Sequence, residues 1–227
     1  MTKSGLRQCI GNPGVFTGLV TIATHVDDMA GFATTEEALN NIELAIEQHV
    51  ELERLGTPTK LLGMELTWGQ NHEWVKLTQN SAIDNLAKEF GISTTIPTKS
   101  LPLNANDYAP LPEKGQPDLE LQKKYQSLVG SLLYITRHTR PEISIHVNLL
   151  GRRTAQPSQL NLQTGIRVLK YLASSINEGI TLKKENQELK NPEQQEVIKG
   201  YADASYGGER AVSQSRSLLT MNGQLIM

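Results

Sequence analysis

The sequence predicts an α+β chain, with strands and helices in separate runs rather than regular alternation. Three observations carry this. Residues 15–33 are rich in Val, Ile and Thr and alternate weakly in polarity, which is the pattern of a β-hairpin. Residues 119–175 hold three successive segments with apolar residues three or four apart, the spacing of amphipathic helices. Between them lies a stretch without periodicity that contains Pro97, Pro102, Pro110, Pro112 and Pro117.

The hairpin at 15–33 places Asp27 and Asp28 at its turn. Adjacent like charges repel each other, so either the pair sits harmlessly at an exposed turn or a cation holds it. Magnesium, which takes a few carboxylate oxygens together with waters and substrate phosphates, is the candidate. Thr35 is placed to cap a helix over 35–55, with glutamates in its first turn and Leu39, Ile42, Ala45, Ile46 and His49 along one face. "KLLGMELTWGQNHEWVKLTQ" reads as two strands about a turn at 69–72. "NSAIDNLAKEFGI" reads as a short helix closed by Gly91.

Residues 93–118 read as an extended linker. Of the three helices that follow, Pro141 begins the second and Ser158 caps the third. Tyr125, Tyr134 and Tyr171 read as core-facing helix residues. "EGITLKK" is a strand, "ENQELKNPEQQE" a polar turn, and the remainder reads as strand, loop, strand. Asp203 follows the strand at 197–201, a place that suits either a metal ligand or an ordinary strand-end turn.

With one cysteine, Cys9, in 227 residues, there is no intramolecular disulfide and no cysteine-based zinc site. No stretch approaches the roughly 20 apolar residues of a membrane span, and the N-terminus lacks the apolar core of a signal peptide. The expected location is intracellular, cytoplasmic or nuclear, not secreted, with no membrane partner. The net charge of −2 hides a polarised distribution. Residues 27–55 carry eight acids and one base, and residues 131–172 carry six bases and one acid. The two runs are either solvated faces of opposite sign or sites for cations and phosphates. Arg137, Arg140, Arg152 and Arg153, near the ends of a helix pair, are the candidate phosphate contacts. The five histidines, His25, His49, His72, His138 and His146, show no metal-ligand spacing. No Gly-rich phosphate loop, nucleophile elbow or HExxH is present.

Read in order, these stretches resemble the reverse transcriptase and ribonuclease H portion of the Pol polyprotein of copia-type LTR retrotransposons. "HVDDMAGFA" resembles the palm motif Tyr-Val-Asp-Asp with its following apolar strand. "LERLGTPTKLLGMELTW" and "VKLTQNSAIDNLAKEFGI" resemble the two segments that follow it in that family. "YQSLVGSLLYITRHTRPEISIHVNLLGRRTAQPSQLNLQTGIRVLKYLASSINEGITL" resembles the family's most recognisable stretch, and "GYADASYGGERAVSQSRS" resembles the opening of its ribonuclease H domain.

The resemblance implies a partial polymerase palm hairpin sheet with its thumb in 1–92, a proline-rich linker in 93–118, a helical connection segment in 119–190 and a truncated ribonuclease H-like β element in 191–227. It implies Asp27 and Asp28 as palm ligands of catalytic Mg²⁺ and Asp203 as the first ribonuclease H carboxylate. The implied partners are an RNA template, an RNA–DNA hybrid and the remainder of the polyprotein. The sequence departs from the family where His25 stands for the motif tyrosine and "SLL" at 217–219 stands for Ser-Gly-Tyr. No acid lies among the 26 residues before Asp27, and Glu209 lies too near Asp203 to be its downstream partner. Both carboxylate sets are therefore expected to be incomplete, and the chain alone inactive as polymerase or ribonuclease H.

Overall fold

The computed structural model describes residues 5–93, 118–184, 198–205 and 214–225. Helices and antiparallel sheets are both present, and the chain divides into two compact units, Met1–Pro58 and Thr59–Met227. The predicted linker, apart from its first and last residues, lies outside the described residues. So do the polar turn at 185–196 and Glu209.

The first unit is an antiparallel meander with one helix. Strands β1 (Arg7–Gln8), β2 (Val15–Thr17), β3 (Val20–His25) and β4 (Asp28–Ala33) pair in sequence order. The sequence pattern revealed β3 and β4. It ran β2 into β3 across Gly18 and Leu19, and it missed the two-residue β1. Helix α1 (Glu36–Glu47) begins at Thr35, whose hydroxyl accepts the Ala38 N–H at 3.3 Å, and Glu36 and Glu37 sit in its first turn. Its apolar stripe, Ala38, Leu39, Ile42 and Ile46, packs on Leu6, Val20 and Ile22 of the sheet unit. The helix stops at Glu47 instead of reaching 55. His49 and Val50 both return their N–H to the Ile46 carbonyl, which ends the regular ladder. The chain then folds back so that Arg54 reaches Glu43 and Glu47 at 3.4 and 3.0 Å.

The second unit joins segments far apart in sequence. Strands β5 (Lys60–Leu61), β6 (Met64–Trp68), β7 (Trp74–Thr78) and β8 (Ile180–Lys183) form one antiparallel sheet in that order. The register places Leu61, Met64, Leu66, Trp68, Val75, Leu77, Ile180 and Leu182 on one face. Lys60, Glu65, Thr67, Trp74, Lys76, Thr78, Thr181 and Lys183 lie on the other. Helix α2 (Asn80–Glu89) follows β7 directly and closes on Gly91 at φ 65°. There Ile92 N–H reaches the Ala87 carbonyl and Gly91 N–H reaches that of Lys88, the paired bonds of a Schellman cap. The N-terminus of α2 is capped from a distance. The Glu65 carboxylate on β6 accepts the N–H of Asn80 at 2.9 Å and of Ser81 at 3.0 Å.

Three helices supply the main core. These are α3 (Leu119–His138), α4 (Ser144–Gly151) after a 3-10 turn at Pro141–Ile143, and α5 (Gln159–Ser174). Asp118 caps α3, and Ser158 with Asn161 forms a reciprocal capping box on α5. Leu128, Leu132, Leu150, Leu169 and Leu172 are fully buried together, and Tyr125 among them donates its hydroxyl to the Leu150 carbonyl at 2.8 Å. Tyr134 corrects its expected core placement. It is 38% exposed and its hydroxyl holds the Leu62 carbonyl at the β5–β6 turn.

The C-terminal strands β9 (Ile198–Ser205), β10 (Gln214–Met221) and β11 (Gln224–Leu225) form a second antiparallel sheet in this unit. Asn222 and Gly223, both at positive φ, make the two-residue turn for which Asn-Gly is favoured. Gln224 then reaches β8. Its Oε1 accepts the Lys183 N–H at 2.6 Å and its Nε2 donates to the Lys183 carbonyl at 2.8 Å.

Two predictions follow from this packing. A Cβ at Gly179 would collide with the Leu77 carbonyl oxygen, a backbone atom that cannot rotate away. Gly179→Ala should cost about 1–3 kcal/mol in urea unfolding, the range for overpacking; an unchanged midpoint would contradict the β7–β8 approach. At Glu65 burial, the largest single influence, pushes the pKa up. The Ser81 hydroxyl and the Ser81 and Asn80 N–H groups together outweigh it and hold the pKa below the ordinary 4.5. A depressed carboxylate stabilises the fold above its unfolded-state pKa and loses that contribution as pH falls through the folded value. Stability should therefore drop on acidification below about pH 5, and the drop should be smaller in Glu65→Gln, measured by unfolding at a series of pH values.

Candidate metal and nucleic-acid site

The paired aspartates sit where the sequence places them. The two-residue turn between β3 and β4 is Val26–Asp27, closed by the pairing of His25 with Asp28. Val26 has φ 53°. A β-branched residue in the left-handed region is a backbone outlier, costing about 1–3 kcal/mol, and such strain clusters at functional sites. Gly and Asn are favoured at such positions, and Leu62 and His72 share this conformation at the turns of the second unit. Asp27 and Asp28 are both exposed, so their carboxylates meet solvent.

Asp203 belongs to the second unit. It is not at a strand end, as expected, but within β9, which runs on to Ser205. It is exposed and stands opposite Arg216 in the register.

The residues can be tested against the magnesium that the resemblance implies. Two neighbouring carboxylates at a solvent-facing turn offer hard oxygen ligands of the right kind for one ion. A two-metal clamp needs more of them, converging within a few ångströms. Among the described residues, no group of three or more His, Cys, Asp or Glu side chains converges. The described residues do not fit a complete two-metal centre.

The four candidate arginines divide. Arg137, in the last turn of α3, is exposed, and Arg152 is half-buried. Arg140 and Arg153 are 1% and 2% exposed. Arg140 donates Nε to Glu142 at 2.6 Å, Nη1 to the Ser175 carbonyl at 2.9 Å and Nη2 to the Ser175 hydroxyl at 2.7 Å, over the ring of Tyr171. Arg153 donates to the Leu149 carbonyl at 2.7 Å. In this fold neither guanidinium can reach a phosphate at the surface. Their charges are used inside, because a buried guanidinium must find acceptors.

Sequence reasoning also passed over a buried contact. Gln79 is fully buried and accepts the Thr139 hydroxyl at 2.7 Å, joining the start of α2 to the end of α3. The signal was a polar residue closing the apolar run before a helix start, which the strand pattern alone does not distinguish from a cap.

No protein-family model matches the chain. The chain is 30% identical over 177 residues to the putative transposon Ty5-1 protein of Saccharomyces cerevisiae, covering 76% of this chain and 56% of that one. It is 38% identical over 87 residues, or 38% of its length, to the retrovirus-related Pol polyprotein from transposon RE1 of Arabidopsis thaliana, 5% of which is covered. With the corresponding polyprotein from transposon TNT 1-94 of Nicotiana tabacum the identity is 23% over 91% of this chain and 15% of the relative. The chain is homologous to retrotransposon Pol polyproteins. This retroelement-derived chain thus spans about half the length of the Ty5-1 protein and a small part of the Pol polyproteins. No solved structure matches it. Among the described residues, no helix is long and apolar enough to cross a membrane.

The split among the arginines predicts opposite phenotypes. Arg140→Ala removes a fully buried side chain together with its bonds to Glu142 and Ser175, and should cost about 3 kcal/mol, within the range for large-to-small changes at buried sites. Arg137→Ala, on the surface, should stay within about 0.5 kcal/mol of the parent. Thermal or urea unfolding followed by circular dichroism reads both. Equal losses would mean that Arg140 is not the internal joint described.

Proposed function

We propose that this chain carries the catalytic hairpin, thumb and connection helices of a retrotransposon reverse transcriptase, followed by the opening strands of its ribonuclease H region. By itself it catalyses neither RNA-directed DNA synthesis nor hybrid cleavage. The observation that carries the reading is Asp27 and Asp28 side by side on a strained, solvent-facing hairpin turn. The ordered motifs and the Pol polyprotein homologues support it. In this reading 1–92 is palm and thumb, 93–118 a linker, 119–190 the connection and 191–227 the ribonuclease H start. Asp27 and Asp28 contribute to one Mg²⁺ site and Asp203 to another, each needing carboxylates beyond those described. Two-metal catalysis depends on its ligands as a unit, so an incomplete set loses orders of magnitude in rate rather than a fraction. The substrates of the complete assembly are an RNA template and an RNA–DNA hybrid.

A second reading, a chain that binds nucleic acid without catalysis, is favoured by the exposed Arg137 and the half-buried Arg152 at the ends of helices otherwise poor in acids. Primer-extension and hybrid-cleavage assays with Mg²⁺ on the purified chain should give no product. A magnesium-dependent product that disappears with Asp27→Ala would overturn the inactive assignment. A duplex affinity that falls with salt and weakens further in Arg137→Glu/Arg152→Glu would support the binding reading.

A further inference from the structure

The outer edge of β8 is treated differently at two neighbouring points. In an antiparallel pair, residues alternate between bonding to the partner strand and facing away from it. Lys184 donates its N–H to the Glu73 carbonyl at 2.7 Å, so Lys184 faces β7 and Lys183 faces away. The outward groups of Lys183 are met by the Gln224 side-chain amide at 2.6 and 2.8 Å, in the manner of a neighbouring strand. Thr181 faces the same way by the same alternation, and its N–H and C=O meet no described residue. Thr181 lines a cleft of about 820 Å³, as does Gln224, so it is this edge of β8 that the cleft exposes. Glu142 and Tyr171 wall it on the helical side. Arg140 joins Glu142 to Ser175, whose carbonyl also accepts the Glu178 N–H, so both carboxylates belong to one end of the cleft. Lys183 stands at the other end, about 16 Å along the strand from Glu178. Glu178 and Lys183 are exposed, and neither is ion-paired with a described residue.

A strand edge with free main-chain groups, carboxylates at one end and an ammonium at the other has the chemistry to hold an extended peptide. The peptide's main chain pairs with Thr181, a basic residue meets the carboxylates, and an acidic group meets Lys183. Gln224 already occupies the edge at Lys183, so a segment paired along β8 stops there. A segment that stops beside an ammonium with its own terminal carboxylate runs parallel to β8. The reverse direction would set an N-terminal ammonium against Lys183. We infer that this cleft takes the extended C-terminal end of a partner protein, laid alongside β8 with a lysine or arginine toward Glu142 and Glu178 and its carboxylate at Lys183. The inference is independent of the reverse transcriptase reading, and neither stands or falls with the other.

The probe is the peptide Lys-Val-Thr-Val-Thr with a free carboxylate, labelled with fluorescein at its N-terminus and titrated against the purified chain by fluorescence anisotropy. It should bind. Its C-terminal amide should bind about tenfold more weakly, the loss of one charge-assisted hydrogen bond, and Lys183→Ala should erase the difference between the two. A probe with glutamate in place of its lysine should also bind more weakly. Every second amide of an added strand faces the edge it joins. N-methylation of one alternate set of peptide amides should therefore abolish binding, and methylation of the other set should leave it within about twofold. Hydrogen exchange at the Thr181 amide should slow when the probe is bound, while Leu182, already held by β7, should not change. Equal affinity for acid and amide would overturn the C-terminal assignment. Equal effects of the two methylated sets would overturn the strand addition. Absence of binding by the probe would overturn the inference as a whole and leave the reverse transcriptase reading untouched.

Discussion

The buried guanidinium of Arg140 is the interaction on which the helical unit turns. It sits where α3 ends and the Pro141 turn begins, and it bonds to Ser175, the residue at which α5 ends. The end of α3 is thereby tied to the end of α5, where the Ser175 carbonyl also accepts the Glu178 N–H, and the cation is paired with Glu142. A buried ion is costly unless each donor finds a partner, so the geometry around it has little latitude. Removing α5 would take away both Ser175 acceptors and leave that buried charge with Glu142. The register of the helices therefore follows from a few polar contacts as much as from the leucines around them.

A similar economy links sheet to helix. Glu65 belongs to β6 but serves as the cap of α2, and Gln79 ends β7's segment but bonds to the far end of α3. Further joints of this kind run from Tyr134 to Leu62 and from Arg140 to Ser175.

This explains how much was legible in the sequence. Period and punctuation located β3, β4, β6, β7 and the five α-helices among the described residues, because Thr35, Ser158, Pro141 and Gly91 act through local backbone geometry. The hairpin position of Asp27 and Asp28 was legible for the same reason. The partnership of β8 with β7 was not, since a strand of four residues carries no mark of which edge it joins a hundred positions away. Nor was the burial of Arg140 and Arg153. A cation near a helix end reads as surface charge until the acceptors supplied by other elements are known. The fold-back at Arg54 and the capping of α2 by Glu65 were hidden likewise, each depending on a residue outside the helix concerned.

The contact between Gln224 and Lys183 has a bearing on how the molecule behaves in a crowded solution. β8 is the outermost strand of its sheet, and the outward-facing N–H and C=O of an outer strand invite another chain to pair with them. A single side-chain amide meets both groups of Lys183 as a neighbouring strand would. The sheet is sealed at that point by its own chain, and a second molecule seeking to extend it must first evict a glutamine. Protection against self-association in this protein is held in part by one uncharged residue close to its C-terminus.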